Sequence, residues 1–343
     1  MLTETEIQAL LAAAVAAPSA DNHHGWRLHV EADQLRLTHE GLARQDKTRR
    51  RLTEISLGAV AESLRIRASS LGLSAEPLLV GRASQDPIRV HLARSDAVAN
   101  DPLDASLEKR HSNRSLRYSG PRLEQSQLDM LQRQTQHVAT SWLRFLDEPS
   151  LRAPAVGLIR RAEVERFRNR ALHEELFSSV RFDAGWVGTC DEGLPPASLG
   201  VHLLERPGFQ MMRHWGVQRA MNLLGAHHML GFRSAALPAR MSPHLCLIGA
   251  SGPEPAALLA AGRLLLRIWT QAQALGLAAQ VLAAAPIYAL SEATAIPSQL
   301  QRDLKSGWQA LCGLDTPFVV LRLGYAPEPP VRAGRPGAKH FLA

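Results

Sequence analysis

The segment Arg110-His111-Ser112-Asn113-Arg114 places two guanidinium groups and a hydroxyl within five residues, so that all three can converge on one phosphate or diol. Arginine suits that task because its planar fork donates paired hydrogen bonds to phosphate oxygens. A second segment, Pro18-Ser19-Ala20-Asp21-Asn22, follows a helix stop and leads toward Trp26. It offers backbone groups and the Ser19 and Asn22 side chains to a flat heterocycle. A third, Gly276-Leu277-Ala278-Ala279-Gln280, ends a long helix at a glycine and exposes small residues whose backbone can approach a ring closely. The fourth carries Arg332 and Arg335 among Pro327, Pro329, Pro330 and Pro336. Stiff chain lowers the entropy lost when a guanidinium clamps a phosphate. Taken singly, each segment also fits a plainer role: a solvated Arg/Ser face, a helix-to-hairpin connection, a helix C-cap, a surface tail.

The elements that must position these residues are mixed. Thr3-x-x-Glu6 before an apolar run is a capping box that opens a helix to about Ala17, where Pro18 stops it. Alternating segments at 26–31 and 34–38 predict a hairpin. A helix is expected over 52–71, ending at Gly72, then strands at 77–80 and 88–92. Asn100-Asp101-Pro102 is a turn and the best internal boundary. Beyond it the patterning predicts short helices at 103–110 and 123–134, a strand at 142–146, and a mostly helical stretch over 150–235 broken by Gly193-Leu194-Pro195-Pro196. Strands at 244–248, 278–283 and 317–323 and an amphipathic helix over 254–275 complete the expectation. The fold class is α+β, a central mostly antiparallel sheet flanked by helices, in two related halves.

Composition sets the outer bounds. With 45% apolar and 21% charged residues over 343 positions, the chain has the make-up of a globular protein with a sizeable core. Its 39 basic residues are arginine except for four lysines, and against 32 acids they give a formal charge of +7. Anionic ligands fit that excess. Cys190, Cys246 and Cys312 are odd in number and far apart, with no C-x-x-C, which suggests neither a disulfide framework nor a zinc site and suits a reducing cytoplasm. The acidic start is unlike a signal peptide, and the most apolar stretch, 256–290, carries Arg263 and Arg267. The fourteen histidines show no H-E-x-x-H or comparable ligand spacing, so no metal is expected. The densest basic run, 44–51, lacks interleaved aromatics and reads as a solvated turn rather than a nucleic-acid surface. No Gly-x-Ser-x-Gly elbow supports a hydrolase, and no G-x-G-x-x-G follows a strand.

In this order and combination the segments resemble the FMN-dependent nitroreductase family. Arg110-x-Ser112-x-Arg114 looks like that family's flavin-binding signature, and Ala17-Pro18-Ser19 with Asn22 resembles its A-P-S-x-x-N-x-Q-P-W loop. Gly276-Leu277 resembles the G-L-G segment under the flavin ring. Leu321-Arg322-Leu323-Gly324-Tyr325 with the arginines after it resembles the last strand and phosphate-contacting tail. The likeness covers roughly 1–80 and 100–336. One departure is His24-Gly25, where the family has Gln-Pro before the tryptophan.

The resemblance implies a fused pseudo-dimer of the Acg-like subgroup. Residues 1–99 form a truncated half that supplies the Ala-Pro-Ser-x-x-Asn loop. Residues 100–343 form the half with the phosphate site and a lid insertion around 150–240. Gly58 to Gly72 looks like an abbreviated copy of Gly262 to Gly276. One FMN per chain is implied, held by Pro18, Ser19, Ala20 and Asn22 of the first half and by Arg110, His111, Ser112, Arg114, Leu277, Ala278, Ala279, Arg332 and Arg335 of the second. Arg110, Arg332 and Arg335 would neutralise the phosphate, Ser112 and Arg114 would reach the ribityl or pyrimidine, and His111 would neighbour the pyrimidine. The implied activity is NAD(P)H-dependent ping-pong reduction of a nitroaromatic or quinone-like acceptor, with no catalytic side chain. The alternative is a non-catalytic protein that sequesters flavin under its lid. The expected partner is a small-molecule electron acceptor, with neither nucleic acid nor membrane, in a monomer or homodimer.

Overall fold

The computed structural model describes residues 2–79, 88–290 and 295–343. Helix α1 (Glu4–Ala16) opens on the expected capping box: the Thr3 hydroxyl accepts from the Glu6 N–H, and the Glu6 carboxylate accepts from the Thr3 N–H at 2.7 Å. Strands β1 (Trp26–Val30) and β2 (Gln34–His39) form the antiparallel hairpin, Trp26 opposite His39. Helix α2 (Lys47–Ser70) starts five residues earlier than the apolar pattern indicates, because the Asp46 carboxylate caps it by accepting from Thr48 and Arg49 N–H. The basic run is therefore helical over 47–51 and not a turn. Strands β3 (Leu73–Leu79) and β4 (Ile88–Arg94) complete a four-stranded antiparallel sheet of order β1-β2-β4-β3. Val80, at the end of the strand expected over 77–80, lies outside the described residues.

The second half follows with α3 (Gln125–Arg133), β5 (Ser141–Phe145), α4 (Pro149–Arg168), α5 (Arg170–Ser178) and the short helices α6 (Arg206–Met212), α7 (Trp215–Asn222), α8 (Ala226–Gly231) and α9 (Leu237–Arg240). Then come β6 (His244–Ala250), α10 (Ala256–Ala274), β7 (Ala278–Leu282), α11 (Ala284–Leu290), α12 (Ser298–Cys312) and β8 (Pro317–Gly324). Their antiparallel sheet has the order β5-β6-β8-β7. Both sheets share one strand order, and each has its long helix between the second and third strand. The antiparallel α+β architecture is as expected, divided into two sheets.

Where α2 and α10 cross, the halves are related by a shift of 204 residues. A Cβ on Gly58 would collide with the Leu259 carbonyl, and one on Gly262 with the Ile55 carbonyl; 58 and 262 differ by 204, as do 55 and 259. Gly72 and Gly276, again 204 apart, both adopt the left-handed conformation that ends a helix. Strand β6 is buried on both faces: Cys246 and Ile248 face the α10 side, Leu245 and Leu247 the side covered by α4 and α12. That is why the strand reads as an unbroken apolar run. After β8 the chain returns to the first half, where Phe341 stacks on Trp26 at 4.1 Å and the Ala343 N–H donates to Leu28 O at 3.1 Å.

Two expectations need correction. Residues 103–110 hold only a single 3₁₀ turn, Asp104–Ser106, because the chain beyond it spends its hydrogen bonds on distant partners rather than on a helix. Helices α11 and α12 were not foreseen, although Leu300, Leu304, Trp308 and Leu311 have helical spacing and Leu304 and Trp308 are buried.

Candidate functional site

A cavity of about 1160 Å³ lies between the halves, walled by Leu52, Ile55, Ser56 and Ala59 of α2, by Leu265 and Trp269 of α10, and by the 280–284 segment. Pro18, Ser19, Ala20, Asn22, Arg110, His111, Ser112, Arg114, Arg332 and Arg335 all line it. Ten of the thirteen residues singled out from the sequence, separated by up to 317 positions, thus meet at one hollow. Leu277, Ala278 and Ala279 are not among its walls. Gly276 turns the chain back and Leu277 closes the helix end, its N–H donating to Ala272 O at 2.9 Å, while all three residues pack into the core. The chain reaches the cavity only from Gln280 onward.

The 110–114 segment forms no regular secondary structure, and its hydrogen bonds explain why. Asn113, buried, anchors it: its N–H donates to Ala279 O at 2.9 Å and its side-chain amide to Pro327 O at 2.7 Å. Its carbonyl accepts from the Tyr118 hydroxyl, and the Trp269 indole donates to His111 O at 3.2 Å. Asn113 is a positioning residue that the sequence reading passed over between its charged neighbours. With its backbone fixed, Arg110 lies buried over the Trp269 ring at 4.4 Å and donates to Ala16 O at 2.7 Å. Its Nε–H has no acceptor among the described residues. Arg114 donates to Ser198 O at 3.3 Å.

The 18–22 loop is equally held. Asp21 and Asn22 both have positive φ, 53° and 58°, a conformation that costs non-glycine residues of order 1 kcal/mol or more and persists only where surroundings enforce it. Here the Ala20 N–H donates to Ser56 Oγ at 3.1 Å, and the Asp21 carboxylate pairs with Arg49 at 2.7 Å. The Asn22 amide donates to Asp191 O and Gly334 O, and its Oδ1 accepts from Arg335 and from His24 Nε2. His24, where the family pattern has glutamine, thus fills a polar role. Burial, with help from the Arg335 charge, pushes its pKa down to about 3, so the ring is neutral. Its Nδ1 finds no partner among the described residues.

The electrostatics are unbalanced. Glu328 pairs with Arg332 at 2.6 Å and with His111 Nε2 at 3.0 Å. Arg110, Arg114 and Arg335 have no carboxylate at ion-pair distance among the described residues. Burial, with the neighbouring Arg335, holds the Arg110 pKa well below its usual value, and burial pushes Arg335 down to about 10. The Arg335 Nε–H is also without an acceptor among the described residues. Arg322, fully buried, differs: Gln280, Ser115 O and Ser242 accept its N–H groups, and it lies over Tyr118 at 4.0 Å. It is structural, whereas the Nε–H groups of Arg110 and Arg335 are left without an acceptor among the described residues.

A further polar group on the cavity wall was not anticipated: Glu163 and Arg166 of α4, 3.4 Å apart, with Glu175 and Tyr288. Burial raises the Glu175 carboxyl and the Tyr288 hydroxyl above their ordinary values. In sequence the Glu163/Arg166 spacing is indistinguishable from an ordinary surface pair. Segment 189–200 covers the site: Gly193 N–H donates to Asn22 O at 3.1 Å, Thr189 Oγ1 to Arg332 O at 2.6 Å, and Gly334 N–H to Cys190 O at 2.9 Å.

No protein-family model matches the sequence, and a search of curated proteins finds no match. Among solved structures the chain is similar to the FMN and NADPH-dependent nitroreductase NfnB from sphigopyxis sp. strain HMH, with 15% identity, 71% of this chain and 98% of that chain covered, and a TM-score of 0.37. It is similar to the FMN-dependent nitroreductase NfnB from Mycobacterium smegmatis, solved with NADPH, at 14% identity, 69% and 95% coverage and a TM-score of 0.36. It is also similar to iodotyrosine deiodinase bound to FMN and 3-iodo-L-tyrosine, at 12% identity, 68% and 95% coverage and a TM-score of 0.36. None of these fixes what this chain binds or turns over.

Proposed function

We propose that this chain binds one FMN and works as an NAD(P)H-dependent oxidoreductase of the nitroreductase type on nitroaromatic or quinone-like acceptors. The observation that carries this reading is a pair of guanidiniums, buried Arg110 and half-buried Arg335, that line one cavity with no carboxylate at ion-pair distance among the described residues and each with an unused, buried Nε–H. Burying an uncompensated charge costs several kcal/mol, and a phosphate in this place offsets it. The hollow of about 1160 Å³ has room for a flavin and a second ring system. Bound there, FMN supplies the hydride and electron chemistry.

The chain's own groups have separable tasks. Arg110 and Arg335 hold the phosphate, and Arg332, paired with Glu328 at the rim, adds a third positive charge. Ser112 and Arg114 offer donors to the ribityl or pyrimidine, and Arg114 places a fixed positive charge where negative charge gathers on the ring. Asn22, tied to Arg335 and His24, presents the loop backbone. Apolar walls including Phe167, Phe209 and Phe232 exclude water from the acceptor side.

We read the chain as two fused halves, 1–99 and 100–343, with a lid over 150–240. The shared strand order and the 204-residue shift support this. The three free cysteines suit a reducing, cytoplasmic setting. The second reading, a flavin-sequestering protein, draws on the hydrogen bonds that fasten segment 189–200 over Asn22 and Arg332. Anaerobic absorbance spectra of the FMN-loaded protein separate the two. Flavin peaks that bleach within seconds of adding NADH or NADPH are expected of the reductase; bound flavin that stays yellow with both is expected of the sequestering protein.

A further inference from the structure

Eight of the thirteen large apolar side chains exposed among the described residues fall within residues 203–229. Leu203, Leu204, Leu223 and Leu224 are 65%, 84%, 87% and 81% exposed, and Met211 and Met229 59% and 63%. Single exposed leucines are ordinary, but a concentration of this kind, with Leu203 and Leu204 in a 3₁₀ turn, Leu223 and Leu224 in the turn after α7, and the other four on α6, α7 and α8, marks a docking face. The same stretch is basic. Arg206 stacks on Trp186 at 4.8 Å and Arg213 on Phe182 at 5.0 Å, while Arg219 is exposed. None of the three has a carboxylate partner among the described residues, and the single acid of the stretch, Glu205, is taken by Arg233 at 2.9 Å. Leu204 and Met229 also line the cavity, so this apolar face is continuous with the cavity wall.

We infer that, against the expectation of no membrane partner, the 203–229 face docks on an anionic phospholipid bilayer, with the cavity mouth at the lipid surface. Exposed leucine and methionine beside unpaired arginine is the chemistry of an interfacial helix, whose apolar side enters the acyl boundary while its cations meet lipid phosphates. A second copy of the chain fits less well, because a twofold contact brings this face, whose unpaired charges are all positive, against an identical positive face. No helix among the described residues is long and apolar enough to cross a membrane, and surface docking needs none. The acceptor then enters from the lipid as an apolar molecule; this last step rests on the oxidoreductase reading, whereas the docking does not.

The test is co-sedimentation of the full chain with vesicles of phosphatidylcholine alone and with vesicles containing one quarter phosphatidylglycerol. The chain is expected to sediment with the anionic vesicles, to stay largely in solution with the neutral ones, and to be released by high salt. Leu223→Ser combined with Leu224→Ser, both on exposed side chains outside the cavity, should lower binding about tenfold or more with an unchanged circular dichroism spectrum and unchanged flavin content. Absence of sedimentation, or equal sedimentation with both vesicle types, overturns the proposal. So does a dimer in light scattering that the double substitution splits without any effect on vesicles. Retained flavin in a chain that ignores vesicles would sink the docking and leave the flavin reading standing.

Discussion

Arg110 lies over an indole ring with one N–H satisfied by Ala16 and its Nε–H facing no acceptor. A residue kept for stability alone would not be left so, because a buried cation without a counter-ion destabilises the fold. Arg110→Met should therefore leave the flavin-free protein as stable as before or slightly more so, with Tm unchanged or raised. The same substitution should weaken FMN binding by on the order of 10- to 100-fold, the worth of a hydrogen bond to a charged group; parallel melting curves and flavin titrations check this. His24 gives a pH signature. Its pKa in the fold, about 3, lies below its ordinary 6.5, so on acidification the unfolded chain takes up the proton first. The stabilising contribution is intact above pH 6.5 and fades as pH falls toward 3, by at most roughly 4–5 kcal/mol. His24→Gln should flatten that acid limb in urea titrations across pH 4–7; a limb equally steep in the variant would assign it to other groups.

At the level of elements, the crossing of α2 and α10 sets the geometry on which the cavity depends. Gly262→Ala places a methyl against the Ile55 carbonyl, backbone that cannot yield unless the helices part, and should cost about 2–3 kcal/mol. Gly157→Ala in α4, where a Cβ meets nothing, should be neutral or stabilising by about 0.5–1 kcal/mol. Thermal unfolding of the two variants, expected to shift in opposite directions, checks the crossing. Elements with their own caps and periods were legible in the sequence: Thr3/Glu6 for α1, Gly276 for the end of α10, the alternation of β1 and β2. The start of α2 was missed because the Asp46 cap lies inside a basic run. The 110–114 segment was legible in chemistry but not in shape, since the bonds of Asn113 to residues 279 and 327 have no local signature.

Over the whole molecule, the 204-residue relation makes the two halves comparable position by position. It sets Arg65 opposite Trp269, and of the two only Trp269 lines the cavity. Arg267, fully buried, donates to Glu62 at 2.9 Å and to Asp101 at 2.8 Å, with Arg263 and Arg65 on the same carboxylates. Burial alone would raise the Glu62 pKa, but Arg263, Arg65 and Arg267 hold it below the ordinary value. Here every guanidinium has its carboxylate, whereas Arg110 and Arg335 have none. The convergence of segments as distant as Pro18 and Arg335 was legible only through family resemblance, and the Glu163/Arg166/Glu175/Tyr288 wall not at all, because nothing local distinguishes those residues from a helix surface. On the proposed reading, this asymmetry implies one site per chain. The most direct test of that claim is calorimetric titration of the flavin-free protein with FMN and, separately, with riboflavin, which lacks the phosphate. A single site that binds FMN at least about 100-fold more tightly than riboflavin is the predicted result, given two charge-assisted arginine contacts. Equal affinity for the two, or two FMN per chain, would contradict it.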